Sequence, residues 1–297
     1  MNITDLFEND TVSGVTTARG VNKGLNKGSG SYDPRNGIYV KAVNFTINSG
    51  ATLQAYARTT SDKQGVVWLS CIGKFTNNGA INLNGAGYPG GEGGYAYQVG
   101  GVNTSPSGLS GQGAGAGGGG ARPAYYSGGN FAGGGGGGHA ATGTAGGQFG
   151  SGTAGAAGLS YGSTDVPTNN WMHLYGSGGG GGSNQDAIAE VGGNGGNGGG
   201  ALRIYAVTFV NNGTLSVNGT AGIESITTPK GTSGGGGSGG TIYLESINTL
   251  TLGTNVITAL AGAGGGGDAD EASGGNGAAG RIHIVGDFNG STNPAAQ

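Results

Sequence analysis

Apolar residues recur along this chain as alternating pairs. Val67 and Leu69, Leu202 and Ile204, Ile242 and Leu244, and Ile282 and Ile284 each flank one residue. The last three pairs step by 40 residues, and the first lies 135 residues before the second, one step plus an insertion of 95. Alternation over five to seven residues predicts half-buried strands. A fixed step predicts an internal repeat.

Each full repeat follows one order. A first strand-like run ("VVWLSCI", "ALRIYAV", "TIYLESI") leads to a second around Phe75, Phe209 or Leu250. A corner follows at Asn78-Gly79, Asn212-Gly213 or Gly253, then a third run ("AINLN", "TLSVN", "NVITAL") and a glycine-rich tail. Asn-Gly suits positive φ and makes a tight corner. The stretch Ile38–Ala57 fits the scheme loosely, and "RIHIVGDFNGS" is a shortened last copy. The expected fold is all-β without substantial helix, built of short-strand, β-solenoid-like repeats. A hairpin meander or sandwich is the alternative, because Asn-Gly is also a hairpin signal.

The tails change that picture. With 77 glycines and 7 prolines among 297 residues, about 28 % of the chain is Gly or Pro, a level at which low complexity is the default. Glycine loses the most conformational freedom on folding, so a regular backbone bonding pattern has to compensate. The words "GAGAGGGGA" (113–121), "GGGGGGHA" (133–140), "GSGGGGGS" (176–183), "GGNGGNGGG" (192–200), "GGGGSGG" (234–240) and "GAGGGG" (262–267) suit the polyproline-II conformation. That helix has three residues per turn, rises ~3.1 Å per residue, and bonds only to neighbouring chains. A side chain pointing into such a bundle would push the backbones apart, so glycine is required for closeness. The chain then divides into an N-terminal attachment or assembly segment (1–37), a β-repeat region (38–84), a glycine-rich polyglycine-II expansion with aromatic loops (85–200), and three repeats of about 40 residues (201–297), the last truncated.

Charge and cysteine content narrow the function classes. The net charge is −3 with no Lys/Arg run, which gives no footprint for nucleic acid. The one cysteine, Cys71, allows no intrachain disulfide. "MNITDLFENDTVSG" has neither the basic nor the apolar part of a signal peptide, and no apolar run approaches ~18 residues. The sequence reads as soluble, with no membrane insertion and no Sec-type leader.

Between the glycine words sit "ARPAYYSGGNF" (121–131), "SYGSTDVPTNNWMHLYG" (160–176) and "SNQDAIAEV" (183–191). The first two carry Arg122, Tyr125, Tyr126, Phe131, Tyr161, Trp171, His173 and Tyr175. Tyr and Trp bring large rigid contact area at low entropy cost. These eight residues are the expected receptor-binding set, exposed together at one end of the bundle. The competing reading makes the aromatics caps over the ends of the glycine runs.

The words "NNGAI" (77–81), "GGGGARPAYYSGG" (117–129), "FAGGGGGGHAATGTAGG" (131–147) and "YGSGGGGGS" (175–183) give the chain a rhythm that resembles the receptor-binding adhesins at the tips of T-even-type bacteriophage long tail fibres. The likeness spans roughly 77–200 and, more weakly, 219–280. It implies a sandwich of polyglycine-II helices whose loops contact a bacterial receptor. It also implies a virion location, homo-oligomeric or other virion partners, and a host surface glycan or outer-surface protein as the target. The 40-residue strand repeats depart from that family. The functional expectation is a non-enzymatic virion protein; the alternatives are a subunit of an extracellular filament or matrix, and a surface polysaccharide hydrolase.

Chemical motifs add little. G-x-S-x-G occurs at Ser160, Ser233 and Ser238, but none lies between a strand and a helix, as a nucleophile elbow must. Asp268, Asp270 and Glu271 form an acidic loop with only a fragment of a calcium-binding repeat. His139, His173 and His283 lack zinc-ligand spacing. Glu92, Asp165, Asp186 and Glu190 show no shared spacing for paired-carboxylate hydrolysis. The expectation is therefore no catalytic residue, no metal and no cofactor.

Overall fold

The computed structural model describes residues 8–12, 15–17, 22–23, 38–55, 65–95, 97–99, 102–104, 107–121, 130–162, 174–184, 191–225, 232–253, 256–266 and 272–296. Among them there is no helix, and the strands of the two main sheets are parallel. A long sheet holds Ile38–Ile47, Val66–Asn77, Ala201–Asn211, Thr241–Ser246 and Arg281–Val285 in that order. A short sheet holds Thr52–Gln54, Ala80–Asn82, Thr214–Ser216 and Ile257–Thr258. Both sheets are open. Glu8–Val12 and Asn22–Lys23 pair with Ile38–Ile47, and Val15–Thr17 pairs with Thr52–Gln54, so part of the expected N-terminal segment joins these sheets.

The 40-residue step is the pairing register. Val67 and Leu69 lie opposite Leu202 and Ile204, which lie opposite Ile242 and Leu244, which lie opposite Ile282 and Ile284. The 95-residue insertion leaves this register untouched. The paired side chains face one interior, shared with Leu53, Ile81, Leu215 and Ile257 of the short sheet; Ile284 packs on its margin. Phe45, Phe75 and Phe209 stack there at centroid distances of 6.2 and 5.0 Å. Burying each such ring contributes about 1.5–3 kcal/mol. Cys71 is buried in the same core, and burial pushes its thiol up to about 12.

Two expectations are corrected. In the first two full repeats the first two runs fuse into a single strand, Val66–Asn77 and Ala201–Asn211, whereas in the third they stay separate, as Thr241–Ser246 and Leu250–Thr251. A register shift between Ala206 and Thr208 absorbs one extra residue opposite, beside the exposed Ile72. The corner glycines Gly79 and Gly213 are not at positive φ. They are glycine because a Cβ would stand 2.3 Å from the Ala51 carbonyl oxygen and 1.9 Å from that of Gly79. The asparagines before them form a ladder. Asn77 Nδ2 donates to Asn211 Oδ1 (2.7 Å), whose Nδ2 donates to the Leu252 carbonyl (3.1 Å).

Twelve glycine-rich segments lie among the described residues: 1 (86–94), 2 (107–113), 3 (114–121), 4 (131–139), 5 (142–147), 6 (152–160), 7 (175–184), 8 (191–200), 9 (217–223), 10 (232–240), 11 (259–266) and 12 (272–280). Their backbone hydrogen bonds, 2.7–3.0 Å long in segment 4, arrange them in rows: 2-3-6, then 1-7-4-5, then 8-10-12, then 9-11. Segments 4, 7 and 10 are enclosed on all sides. In segment 4 the acceptor changes with every residue and returns every third. Gly133 and Gly136 donate to segment 5, Gly134 and Gly137 to segment 10, and Gly135 and Gly138 to segment 3. Segments 6, 7 and 12 donate back to it.

Each repeat sends its tail out from the short sheet and back to the long one, as 9 then 10 and as 11 then 12. The insertion replaces one such excursion with four, in segments 1 to 8.

Candidate functional site

That zigzag decides where the connecting words lie. Segment 3 runs outward and segment 4 returns, with Gly138 bonded to Gly115 and Gly135 to Gly118. The two ends of the word 121–131, at Ala121 and at Asn130 and Phe131, therefore lie far from the sheets. Segment 6 ends, and segment 7 begins, beside the sheets. The word 160–176 has its ends there, at the opposite pole. The expectation that both words share one end is corrected. Arg122, Tyr125, Tyr126, Trp171 and His173 lie outside the described residues, as do Asp165, Asp186, Glu190, Asp268, Asp270 and Glu271.

The three described members of the expected set are not a surface patch. Phe131 is fully buried and stacks on Phe149 at 4.8 Å. Tyr175 is 2 % exposed and packs against Val66 and Ala201 on the outer face of the long sheet. Tyr161 is half-buried. Its hydroxyl donates to the Tyr175 carbonyl and accepts from Ser177 Oγ (3.1 Å). Burial pushes the phenol of Tyr161 well above its usual range. Tyr175 fills the space between the sheet face and segments without side chains, and Phe131 fills space at the far end of the segments.

The near pole is a polar junction. The His139 ring lies 4.8 Å from that of Tyr161, and its Nδ1 is 2.7 Å from the Gly239 carbonyl oxygen. An Arg281 guanidinium nitrogen lies 3.5 Å from the His139 carbonyl oxygen. Burial lowers the pKa of Arg281, and nearby Tyr161 opposes the shift. Ser177 and Ser238, both fully buried, bond to the backbones of neighbouring segments. Two of the three G-x-S-x-G serines pack within the glycine segments. Ser233 and Ser238 are internal residues of segment 10 whose hydroxyls donate to the Gly266 and Gly138 carbonyls.

One row was missed in the sequence. Trp68, Arg203, Tyr243 and His283 are in register across the outer face of the long sheet. The Arg203 guanidinium carbon is 5.0 Å from the ring centroids of both Trp68 and Tyr243, and the group reaches Glu245 at 3.9 Å. Burial, then the Glu245 charge, raises the Tyr243 phenol. The signal was available: the 40-residue step aligns the residues between the apolar pairs as well as the pairs.

The far pole receives the outer ends of all twelve segments. There Tyr95 is 54 % exposed at the end of segment 1, and Phe149 is 36 % exposed at the turn between segments 5 and 6. Among the described residues no three His, Cys, Asp or Glu side chains gather as a metal site, and no helix is long and apolar enough to cross a membrane. No family model, curated protein or solved structure matches the chain.

Proposed function

We propose that the chain is a non-enzymatic structural protein of bacteriophage tail-fibre or adhesin type, which binds a host surface through the far pole of its glycine bundle. The observation that carries this reading is that every tail returns through a connection at that one pole. The 95-residue insertion multiplies these connections without altering the sheets. The chain thus carries its connecting words on a backbone lattice whose enclosed glycines leave no room for a Cβ. In this reading the bundle is a polyglycine-II lattice and the 40-residue units are solenoid-like. The in-register step supports the second point, and the three-residue rotation of hydrogen-bond partners supports the first. The word 121–131, with Arg122, Tyr125 and Tyr126, belongs to the binding pole. The word 160–176, with Trp171 and His173, belongs to the junction.

The test is adsorption of purified protein to a panel of bacterial strains, with Tyr125→Ala/Tyr126→Ala compared with Trp171→Ala. The far-pole double variant is expected to lose adsorption at unchanged melting temperature. The junction variant is expected to melt lower and still adsorb while folded. Undiminished adsorption by a folded Tyr125→Ala/Tyr126→Ala protein would sink the assignment of the binding pole.

A further inference from the structure

The outer face of the long sheet carries an exposed apolar stripe. Ala42, Cys71, Ala206 and Ser246 lie in register on four neighbouring strands, and all four are buried. Side chains alternate along a strand, so the next residue of each points outward. Those residues are Val43, Ile72, Val207 and Ile247. Ile72 is 50 % exposed and Ile247 is 69 % exposed, while Val43 and Val207 are half-buried. At the spacing of paired strands they form one ridge, about 15 Å long, that crosses the sheet. Single exposed apolar residues need no partner, but a contiguous row marks an interaction surface.

The charges beside the stripe are sorted by sign. Lys41 and Lys74, both exposed, stand on its first two strands. Glu245 stands on its fourth, in the row Lys41, Ser70, Tyr205, Glu245, and the exposed Asp287 follows the strand beyond. Lys41, Lys74 and Asp287 make no ion pair among the described residues. Two such stripes laid parallel would set like charges together. Laid antiparallel, they set the lysine end of each against the carboxylate end of the other.

We propose that this stripe is the interface of an antiparallel dimer of two copies of the chain. The twofold axis runs parallel to the strands, midway between Val66–Asn77 and Ala201–Asn211. It lays Val43 over the second copy's Ile247, Ile72 over the second copy's Val207, and Lys41 beside the second copy's Glu245. The contact is self-complementary, as a twofold interface must be. The stripe is small beside the ~800 Å² per partner of a standard interface, so the dimer is weak and dissociates on dilution. Segments 8, 10 and 12 run directly into the strands that begin at Ala201, Thr241 and Arg281, so this axis turns both far poles to the same side. Two poles can then engage one surface together, which raises avidity without a new contact. The dimer does not depend on the host-binding reading; only this use of it does.

The experiment is sedimentation velocity of the full chain over a dilution series, with thermal melting of dilute protein as the measure of folding. Wild type is expected to pass from monomer to dimer as concentration rises. Ile247→Ser is expected to weaken dimerisation by about tenfold or more at unchanged melting temperature. Lys41→Glu/Lys74→Glu makes the stripe acidic at both ends, and Glu245→Gln/Asp287→Lys leaves it basic. Each of these variants alone is expected to stay monomeric, and the two mixed in equal amounts are expected to form a one-to-one complex. Wild type that is monomeric at every concentration would overturn the proposal. So would a dimer that survives Ile247→Ser undiminished. A mixture of the two charge variants that associates no better than either alone would overturn the antiparallel arrangement.

Discussion

Segments 4 and 8 are both glycine-rich, but they are glycine-rich in different ways. Segment 4 has six glycines in a row, Gly133 to Gly138, and is enclosed. A Cβ at any of them would come within 2.4 Å of a neighbouring backbone oxygen. Segment 8 lies at an edge and reads Val191-Gly-Gly-Asn194-Gly-Gly-Asn197. Edge segments 1 and 12 carry side chains at the same interval, at Pro89, Glu92 and Tyr95 and at Ser273, Asn276 and Ala279. Hydrogen-bond partners return every third residue, so one face in three points away from the lattice and carries these side chains, while the inward positions of these triplets hold nothing larger than the buried Ala272 and Ala278 of segment 12. Those side chains also finish the edge. Asn194 Oδ1 accepts the Gly93 N–H (2.8 Å), Asn197 Oδ1 that of Gly90 (3.0 Å), and Asn276 Oδ1 that of Gly264 (2.8 Å). The two longest glycine runs, Gly133–Gly138 and Gly178–Gly182, therefore lie in enclosed segments, and a repeated X-Gly-Gly triplet marks an edge. Glycine in this protein is a packing residue before it is a flexible one.

The comparison breaks most sharply at Gly135. A Cβ there would sit 2.0 Å from the Ala156 carbonyl oxygen, with no side chain able to yield. Gly135→Val is expected to destabilise by more than about 3 kcal/mol or to prevent folding, read by thermal melting and soluble yield. An unchanged melting temperature would remove the enclosed lattice from the account. Ser238→Ala probes the few polar side chains that enclosed segments accept. It removes the hydroxyl that donates to Gly138 (3.0 Å) and accepts from Ser177 N (2.8 Å). Denaturant unfolding should show a loss of about 1–3 kcal/mol, since buried groups are left unpaired.

At the edge the effects shrink. Asn194→Ala uncovers the Gly93 N–H to water, and a loss of about 0.5–1 kcal/mol is expected by the same measurement. A loss above that of Ser238→Ala would mean that edge caps hold the lattice more than its interior does. Glu92→Ala, at an exposed position of an edge triplet, is expected to stay within about 0.5 kcal/mol of wild type. A larger change would show that the third face is not free.

Much of the fold was legible in particular residues. The apolar pairs from Val67 to Ile284 gave the strand register, because parallel pairing stacks like on like at a constant step. The glycine words gave the existence of a bundle, because nothing else explains so many residues without Cβ. The corner was legible at Gly79 for the wrong reason: its signal suited positive φ, whereas close approach to Ala51 imposes it. The surface patch was not legible. Phe131, Tyr161 and Tyr175 look alike in sequence to any exposed aromatic, yet they close gaps where segments meet each other or the sheet.

The sequence by itself determined where the main repeat strands and the glycine segments lie. Each follows from a period, two or three, that a side chain or its absence imposes locally. Only the tertiary structure decided the direction of each segment, and with it the pole at which each connecting word lies. Glycine segments carry no side chains to choose a partner or an orientation, and their hydrogen bonds form parallel and antiparallel alike: segments 1 and 7 run together while 1 and 8 run opposed. The order of the zigzag was left to the sheets, which fix where each tail leaves and returns, and to closure of the lattice around segments 4, 7 and 10.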